Sequence, residues 1–180
     1  VWVNSETMSE KPFIGSRKAR IIVAVAVLVI AYLGVVMLLG PMSMDRGIHS
    51  LIGLAFLLAY SRIPVVTRRY ELKPMIIFAA AMLPCHFGTV FPDLDISVLG
   101  IGGHRNPVFH GAFAYGLMWA VMGRRYRLAH LVCMGFGVGL GSHLVWDAID
   151  YGDVRWISGG LADRVWLLVH GGLCFVPLPL

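Results

Sequence analysis

The sequence predicts an all-α fold, a polytopic integral membrane bundle of five to six transmembrane helices, and three observations lead to this prediction. Of the 180 residues, 58% are apolar and only 14% are charged, and the mean hydropathy of +0.76 is far above that of an ordinary soluble domain. Apolar runs long enough to cross a membrane recur along the chain. Basic residues concentrate in alternate connections between these runs.

The first apolar run follows a basic segment. Residues 1–20 are polar and basic and are predicted to be a cytoplasmic N-terminal segment. Residues 21–39 then run for 19 positions without a charge, which is enough for an additional N-terminal membrane helix. A secretory signal peptide would have a shorter apolar region ending in small residues, whereas this run ends in Leu39-Gly40-Pro41, so we expect a retained anchor.

The remaining spans follow without a linker, so residues 21–180 are predicted to form a single membrane domain. They are expected at residues 48–66, 74–90, 107–122, 128–149 and 165–178. The last run is short, contains Gly171-Gly172 and ends in prolines. A partial or re-entrant segment is therefore the alternative to a sixth crossing.

The distribution of basic residues predicts the orientation. Eleven Lys and Arg residues lie in residues 1–20, 62–73 and 123–127, and only four lie in the connections on the opposite side. This bias places the N-terminus in the cytoplasm of a bacterial-type inner (plasma) membrane, and the other connections toward the periplasm. Since topology accounts for the net charge of +5, we expect no nucleic-acid binding.

Three polar islands on the predicted periplasmic side gather most of the acidic residues and four of the seven histidines. They lie around His49, from Asp93 to His110, and from His143 to Asp153. Ionisable groups near a membrane are costly and indicate function by default. Carboxylates beside imidazoles indicate a divalent metal site. A haem-binding anchor is an alternative, which the carboxylates disfavour because haem iron is normally ligated by other side chains.

The second island contains two pairs of candidates. Asp93 and Asp95 would lie on one side of an extended stretch, where a shared cation would relieve their repulsion; the alternative is a solvated turn. Asn106-Pro107 is typical of a helix cap and first helical residue, which would place His110 in the first turn of the fourth span. Otherwise His110 is a hydrogen-bonded core residue.

The third island ends the fifth span. His143 and Asp147 lie at i,i+4 on one helix face, where they would either bind one ion together or form a simple hydrogen bond. Gly135, Gly137, Gly139 and Gly141 are expected to be packing positions. Elsewhere His86 is a weaker candidate, and His130 and His170 are interpreted as core or interfacial residues.

Four motifs, taken in order, resemble the YdjM-like family of membrane-bound, metal-dependent hydrolases, some of them LexA-regulated. They are the helix opening at His49, Pro92-Asp93-Leu94-Asp95, His104-Arg105 with His110, and Ser142-His143 with Asp147. The resemblance covers residues 47–153. It implies seven metal ligands, namely His49, Asp93, Asp95, His104, His110, His143 and Asp147. It also makes Arg105 and Asp147 candidate catalytic residues, with Arg105 contacting the substrate or supporting the ligands.

The resulting hypothesis is a membrane-bound hydrolase that uses one or two divalent ions. Mixed imidazole and carboxylate ligands suit Zn, Mn or Fe, which activate a bound water. Arg105 and the membrane setting favour a phosphoester or a lipid-linked substrate. The alternative is a non-catalytic integral membrane subunit that keeps the fold and packs against other membrane subunits of a larger complex.

Overall fold

A computed structural model describes residues 44–100, 104–123, 126–150, 154 and 160–176, with a few positions between 23 and 34. The chain divides into two compact units, residues 1–40 and 41–180. In the first unit the described positions are helical and exposed. The helix predicted at 21–39 is thus described only in part, and the predicted cytoplasmic segment 1–20 lies outside the described residues.

The second unit is all-helical, which confirms the predicted class, and the described residues contain no strand. Its helices are α1 (Met44–Tyr60), α2 (Pro64–Tyr70), α3 (Pro74–Val90), α4 (Leu94–Leu99), α5 (Phe113–Met118), α6 (Arg127–Asp150) and α7 (Leu161–Cys174). A π-helical turn, Trp119–Gly123, continues α5. α6 is central and packs against α1, α3 and α7.

α3 and α6 coincide closely with the spans predicted at 74–90 and 128–149, whereas the other helices differ from their predicted spans. Within the described residues only α6 is long and apolar enough to cross a membrane. The number of such spans rises to two if Arg46–Tyr60 and Pro64–Tyr70 are counted as one span despite the 78° bend between them. The bend breaks the predicted span 48–66 because Ile63 precedes a proline and takes an extended conformation. The segment predicted at 165–178 corresponds to α7, which has 14 residues and begins earlier, at Leu161.

Glycines let α6 approach its neighbours on two faces, as predicted. A side chain on Gly139 would collide with the backbone of Cys85 in α3, and one on Gly135 would lie 2.7 Å from the carbonyl oxygen of Ala81. On the other face, a Cβ on Gly141 would lie 2.9 Å from the carbonyl oxygen of Gly171 in α7. The backbones of three helices are therefore in near contact along α6.

α1 joins this packing through a small residue of its own. A Cβ on Gly53 would lie 2.5 Å from Cγ2 of Thr89 in α3 and 3.2 Å from Oγ of Ser142 in α6. The side chains of Leu140, Leu144 and Leu167 are fully buried and belong to one hydrophobic cluster that joins α6 to α7. α1, α3 and α6 thus meet one turn from His49 and next to His143.

Gly139→Ala is expected to destabilise the protein by about 1–3 kcal/mol, because the added methyl group meets the backbone of α3, which has no flexible end to move aside. Gly172→Ala is the matched control, since a Cβ there meets nothing within 4 Å. Thermal unfolding in detergent micelles measures both. A melting temperature for Gly139→Ala at or above that of Gly172→Ala would contradict the packing described here.

Candidate metal centre

Three imidazoles surround the carboxylate of Asp147. Its Oδ2 lies 3.2 Å from Nε2 of His143 and 3.5 Å from Nε2 of His110, and its Oδ1 lies 3.7 Å from Nε2 of His49. All four residues are at most 3% exposed. The rings of His49 and His143 stack with centroids 3.9 Å apart. The i,i+4 pair predicted from the sequence therefore shares its site with histidines from two other segments.

A second group centres on Asp95, which is fully buried. Its Oδ1 lies 2.9 Å from Nδ1 of His104 and its Oδ2 lies 3.4 Å from Nδ1 of His110. The backbone N–H of Asn106 donates to Oδ2 at 3.0 Å. Burial alone would raise the pKa of this carboxyl. The interactions with the two imidazoles and the backbone N–H outweigh burial and lower the pKa to about 2, so the group is ionised at neutral pH.

The two groups have the dimensions of metal sites. In each group, every residue offers one ligand atom, and these atoms all lie within 4.8 Å of one another. The first group is His49, His143 and Asp147, and the second is Asp95, His104 and His110. Bonds of about 2.0–2.1 Å in a tetrahedral zinc site place neighbouring ligand atoms roughly 3.3 Å apart. The separations of 3.2–3.7 Å around Asp147 are close to that value. Small side-chain movements would therefore accommodate an ion.

The position of Asp93 relative to Asp95 differs from the prediction. The Asp93–Asp95 stretch is not extended: Asp93 has φ −70° and ψ −6°, and Asp95 lies in the first turn of α4. The N–H of Asp95 donates to the carbonyl of Pro92, as in a tight turn. Helical geometry separates the two carboxylates, and Asp93 lies 3.8 Å from Nε of Arg46 instead. Asp93 belongs to neither three-residue group.

The helix predicted to start at Pro107 begins later, at Phe113. Asn106 does cap the chain, because its Oδ1 accepts the N–H of Val108 at 2.9 Å, but the residues that follow form a compact turn. A Cβ on Gly111 would lie 2.7 Å from the carbonyl oxygen of Pro107, so glycine permits this turn. His110 therefore lies in a turn before α5 rather than in its first turn.

Arg105 is half-buried and has a left-handed backbone with φ +63°, which is uncommon for a residue other than glycine. It follows His104, whose side chain is 25% exposed, whereas those of His49, His110 and His143 are at most 3% exposed. His104 is thus the ligand candidate most accessible to solvent. Arg105 is its immediate neighbour in the chain.

Sequence reasoning missed one group that orients a ligand. The carbonyl oxygen of Thr89 lies 2.7 Å from Nδ1 of His143. Because a carbonyl can only accept, Nδ1 of His143 donates this hydrogen bond, and Nε2 faces Asp147 at 3.2 Å, on the side from which it would ligate a metal ion. A backbone carbonyl leaves no signal in a sequence, so this contact was not predictable.

α7 also supports the site, although it lies outside the predicted core at 47–153. Nε1–H of Trp166 donates to the carbonyl oxygen of His110 at 2.8 Å, and the N–H of Ala112 donates to Nδ1 of His170 at 3.0 Å. The Trp166 and His170 rings lie 4.1 Å apart. Both residues hold the turn that carries His110. Their i,i+4 spacing was the only available signal, and His170 is more than the core or interfacial residue expected.

The other two histidines lie outside both groups. Nδ1 of His86 is 3.3 Å from Oγ of Ser50, and Nδ1 of His130 is 2.5 Å from the hydroxyl of Tyr70. His130 is therefore a buried, hydrogen-bonded residue, as expected. His86, the weaker metal candidate, lies beside a hydroxyl group and belongs to neither three-residue group.

Comparison of the chain with models of protein families, with curated proteins and with solved structures finds no match. The resemblance to the YdjM-like family therefore remains a prediction that depends on the four motifs. The geometry of the six clustered side chains stands independently of it.

Trp166→Phe is expected to weaken zinc binding about tenfold, because it removes the hydrogen bond to the carbonyl of His110 while keeping an aromatic ring. Equilibrium dialysis of purified protein against zinc buffers measures the affinity. Trp119→Phe, the same substitution on the π-helical turn, is the control and should bind zinc like the unmodified protein. Equal affinities of both variants would show that α7 does not support the site.

Proposed function

We propose that this protein is a membrane-bound, metal-dependent hydrolase of the YdjM-like kind, acting on a phosphoester or lipid-linked substrate at the outer face of a bacterial-type inner membrane. One observation supports this most strongly. The buried carboxylate of Asp147 lies within 3.2–3.7 Å of Nε2 of three histidines from separate parts of the chain. Such convergence of imidazole and carboxylate is typical of Zn, Mn or Fe sites.

The charges of the cluster favour a bound cation. Asp95 and Asp147 are buried, and a buried carboxylate is costly unless it is paired or coordinates a metal. A divalent ion bound here would supply an activated water by lowering its pKa to about 7. Asp147 would hold the ion together with His49 and His143, and the carbonyl of Thr89 keeps the His143 ring in the required orientation.

Arg105 is proposed to bind the anionic part of the substrate. It adjoins His104, where the cluster is most exposed, and its guanidinium has the fork geometry that matches phosphate oxygens. Its left-handed backbone is a conformation that persists where the surroundings enforce it, often at functional sites. Arg46, with a side chain 40% exposed beside Asp93, adds positive charge near the same helix ends.

The membrane location is proposed from the surface and the sequence together. Large apolar side chains are exposed on the outer sides of several helices, including Leu51 and Phe56 on α1, Phe87 on α3 and Leu168 on α7. Exposed apolar surface of this extent indicates contact with lipid or with other membrane subunits. The five proposed crossings are the run at 21–39, α1, α3, α5 with its π-helical turn, and α6. α7 would be the sixth.

Asp147→Asn is expected to lower phosphate release by a factor of 1,000 or more and to reduce bound metal, because the amide replaces the charged group that three imidazoles face. Full-length protein in detergent is assayed with phosphatidic acid in mixed micelles and with a soluble aryl phosphate, and its metal content is measured by elemental analysis. Asp150→Asn on the same helix is the control, since Asp150 is exposed.

Removal of metal by a chelator should abolish the activity, and Zn²⁺ or Mn²⁺ should restore it in the unmodified protein but not in Asp147→Asn. Protein that is folded, contains no stoichiometric metal and is unaffected by Asp147→Asn would instead be the non-catalytic membrane subunit. Hydrolysis of only one of the two phosphate substrates would identify whether the lipid part is required.

Arg105→Ala is expected to raise KM for the phosphate substrate about 10–100-fold with a smaller change in kcat, because a charge-assisted hydrogen bond to bound substrate is lost. Arg105→Lys should recover only part of the loss, since an ammonium group cannot bind two oxygens in the same way. Arg127→Ala is the control, because Arg127 forms an exposed ion pair with Glu71. An unchanged KM in Arg105→Ala would exclude a substrate contact.

A further inference from the structure

His110 stands between the two groups and faces both. Its Nδ1 lies 3.4 Å from Oδ2 of Asp95 and its Nε2 lies 3.5 Å from Oδ2 of Asp147. The side chain is fully buried. Neither ring nitrogen has a hydrogen-bond partner among the described residues, although each lies within 3.5 Å of a carboxylate oxygen. Two unsatisfied nitrogens on one buried ring are unusual, since buried polar side chains nearly always have partners.

We propose that His110 bridges two divalent ions, so that the cluster is a dinuclear centre. One ion would be held by Asp95, His104 and Nδ1 of His110, and the other by His49, His143, Asp147 and Nε2 of His110. This inference rests on the proposed metal-dependent function and goes further, because that function requires only one ion. It explains why a single ring is placed with one nitrogen in each group.

The bridge requires a change in protonation. A neutral imidazole carries one proton on its two nitrogens, whereas a bridging ring donates a lone pair from both. Binding of the second ion therefore forms a nitrogen–metal bond and releases one ring proton to water, as ligand deprotonation on metal binding requires. The bridging imidazolate and the carboxylates of Asp95 and Asp147 together carry three negative charges, against four positive charges on two divalent ions.

The turn around His110 is built to hold the ring in this position. Trp166 and His170 of α7 fix the backbone at His110 and just after it, through hydrogen bonds to the His110 carbonyl at 2.8 Å and from the Ala112 N–H at 3.0 Å. The N–H of His110 itself donates to the carbonyl oxygen of Asn106 at 2.8 Å. The ring of His110 lies edge-on to the rings of His104 and His143, at centroid distances of 5.4 and 5.7 Å. These contacts hold the ring between the two groups, with one nitrogen near each carboxylate.

Copper(II) is a suitable probe because it binds nitrogen and oxygen ligands tightly and is paramagnetic. Full-length apoprotein in detergent is loaded with two equivalents of Cu²⁺, and the bound metal and the integrated electron paramagnetic resonance signal are measured. We expect two bound ions whose signal at low temperature is less than half that of two isolated ions, because an imidazolate couples their spins. Two bound ions with the full, uncoupled signal would overturn the bridge, as would a single bound ion.

Two variants keep the proposal testable. His110→Ala should give the full signal of whatever copper it retains. If it fails to fold, His104→Ala replaces it, and this variant should bind one ion with an isolated signal, since the ligands around Asp147 remain. A coupled signal in His110→Ala would exclude His110 as the bridge, and a coupled signal in His104→Ala would overturn the assignment of one ion to Asp95, His104 and His110. Failure of the folded, unmodified protein to bind Cu²⁺ or Zn²⁺ at all would instead overturn the proposed metal-dependent function, so the two failures are distinguishable.

Discussion

The close approach of α3 and α6 is the constraint on which the rest of the structure depends. Gly88 and Gly139 bring the two helix backbones into contact, because a side chain on either would collide with the opposite helix. Thr89 follows Gly88 directly, and His143 lies one turn beyond Gly139. The carbonyl of Thr89 therefore reaches the His143 ring at 2.7 Å. A wider separation of the helices would leave Nδ1 without its acceptor and the ring free to turn away from Asp147.

This packing also accounts for the energetics of the cluster. Desolvating a carboxylate costs several kcal/mol even in a relaxed protein, and Asp95 and Asp147 are both buried. The helix contacts consist largely of backbone and small side chains, which offer few polar groups to stabilise these charges. Their compensation comes from the backbone N–H of Asn106, which donates to Asp95, and from the imidazole N–H groups or a bound cation of the cluster itself. The same burial that makes the cluster costly also gives bound ions a water-poor environment, in which their electrostatic effect is large.

The extent to which the sequence predicted the site follows from the distance between partners along the chain. The His143–Asp147 pair was predictable because helical periodicity is local and fixes neighbours at i,i+4. The attachment of Asp95 to His104 and His110 depends on how α4 and the following turn fold back, which spacing does not encode. Asp93 was wrongly paired with Asp95 because the stretch after Pro92 forms a helical turn instead of an extended segment. The role of α7 at the site was missed because α7 acts through backbone atoms of His110 and Ala112.

The helix that begins the predicted span 48–66 ends before that span does, for a related reason. Hydropathy measures how apolar a run is but not where it bends, and the run at 48–66 contains the break before Pro64. The break does not disturb the site, because His49 lies in the second turn of α1 and Asp147 lies in the last turn of α6. The cluster is therefore built from helix ends at one edge of the bundle, while the bend lies at the far end of α1.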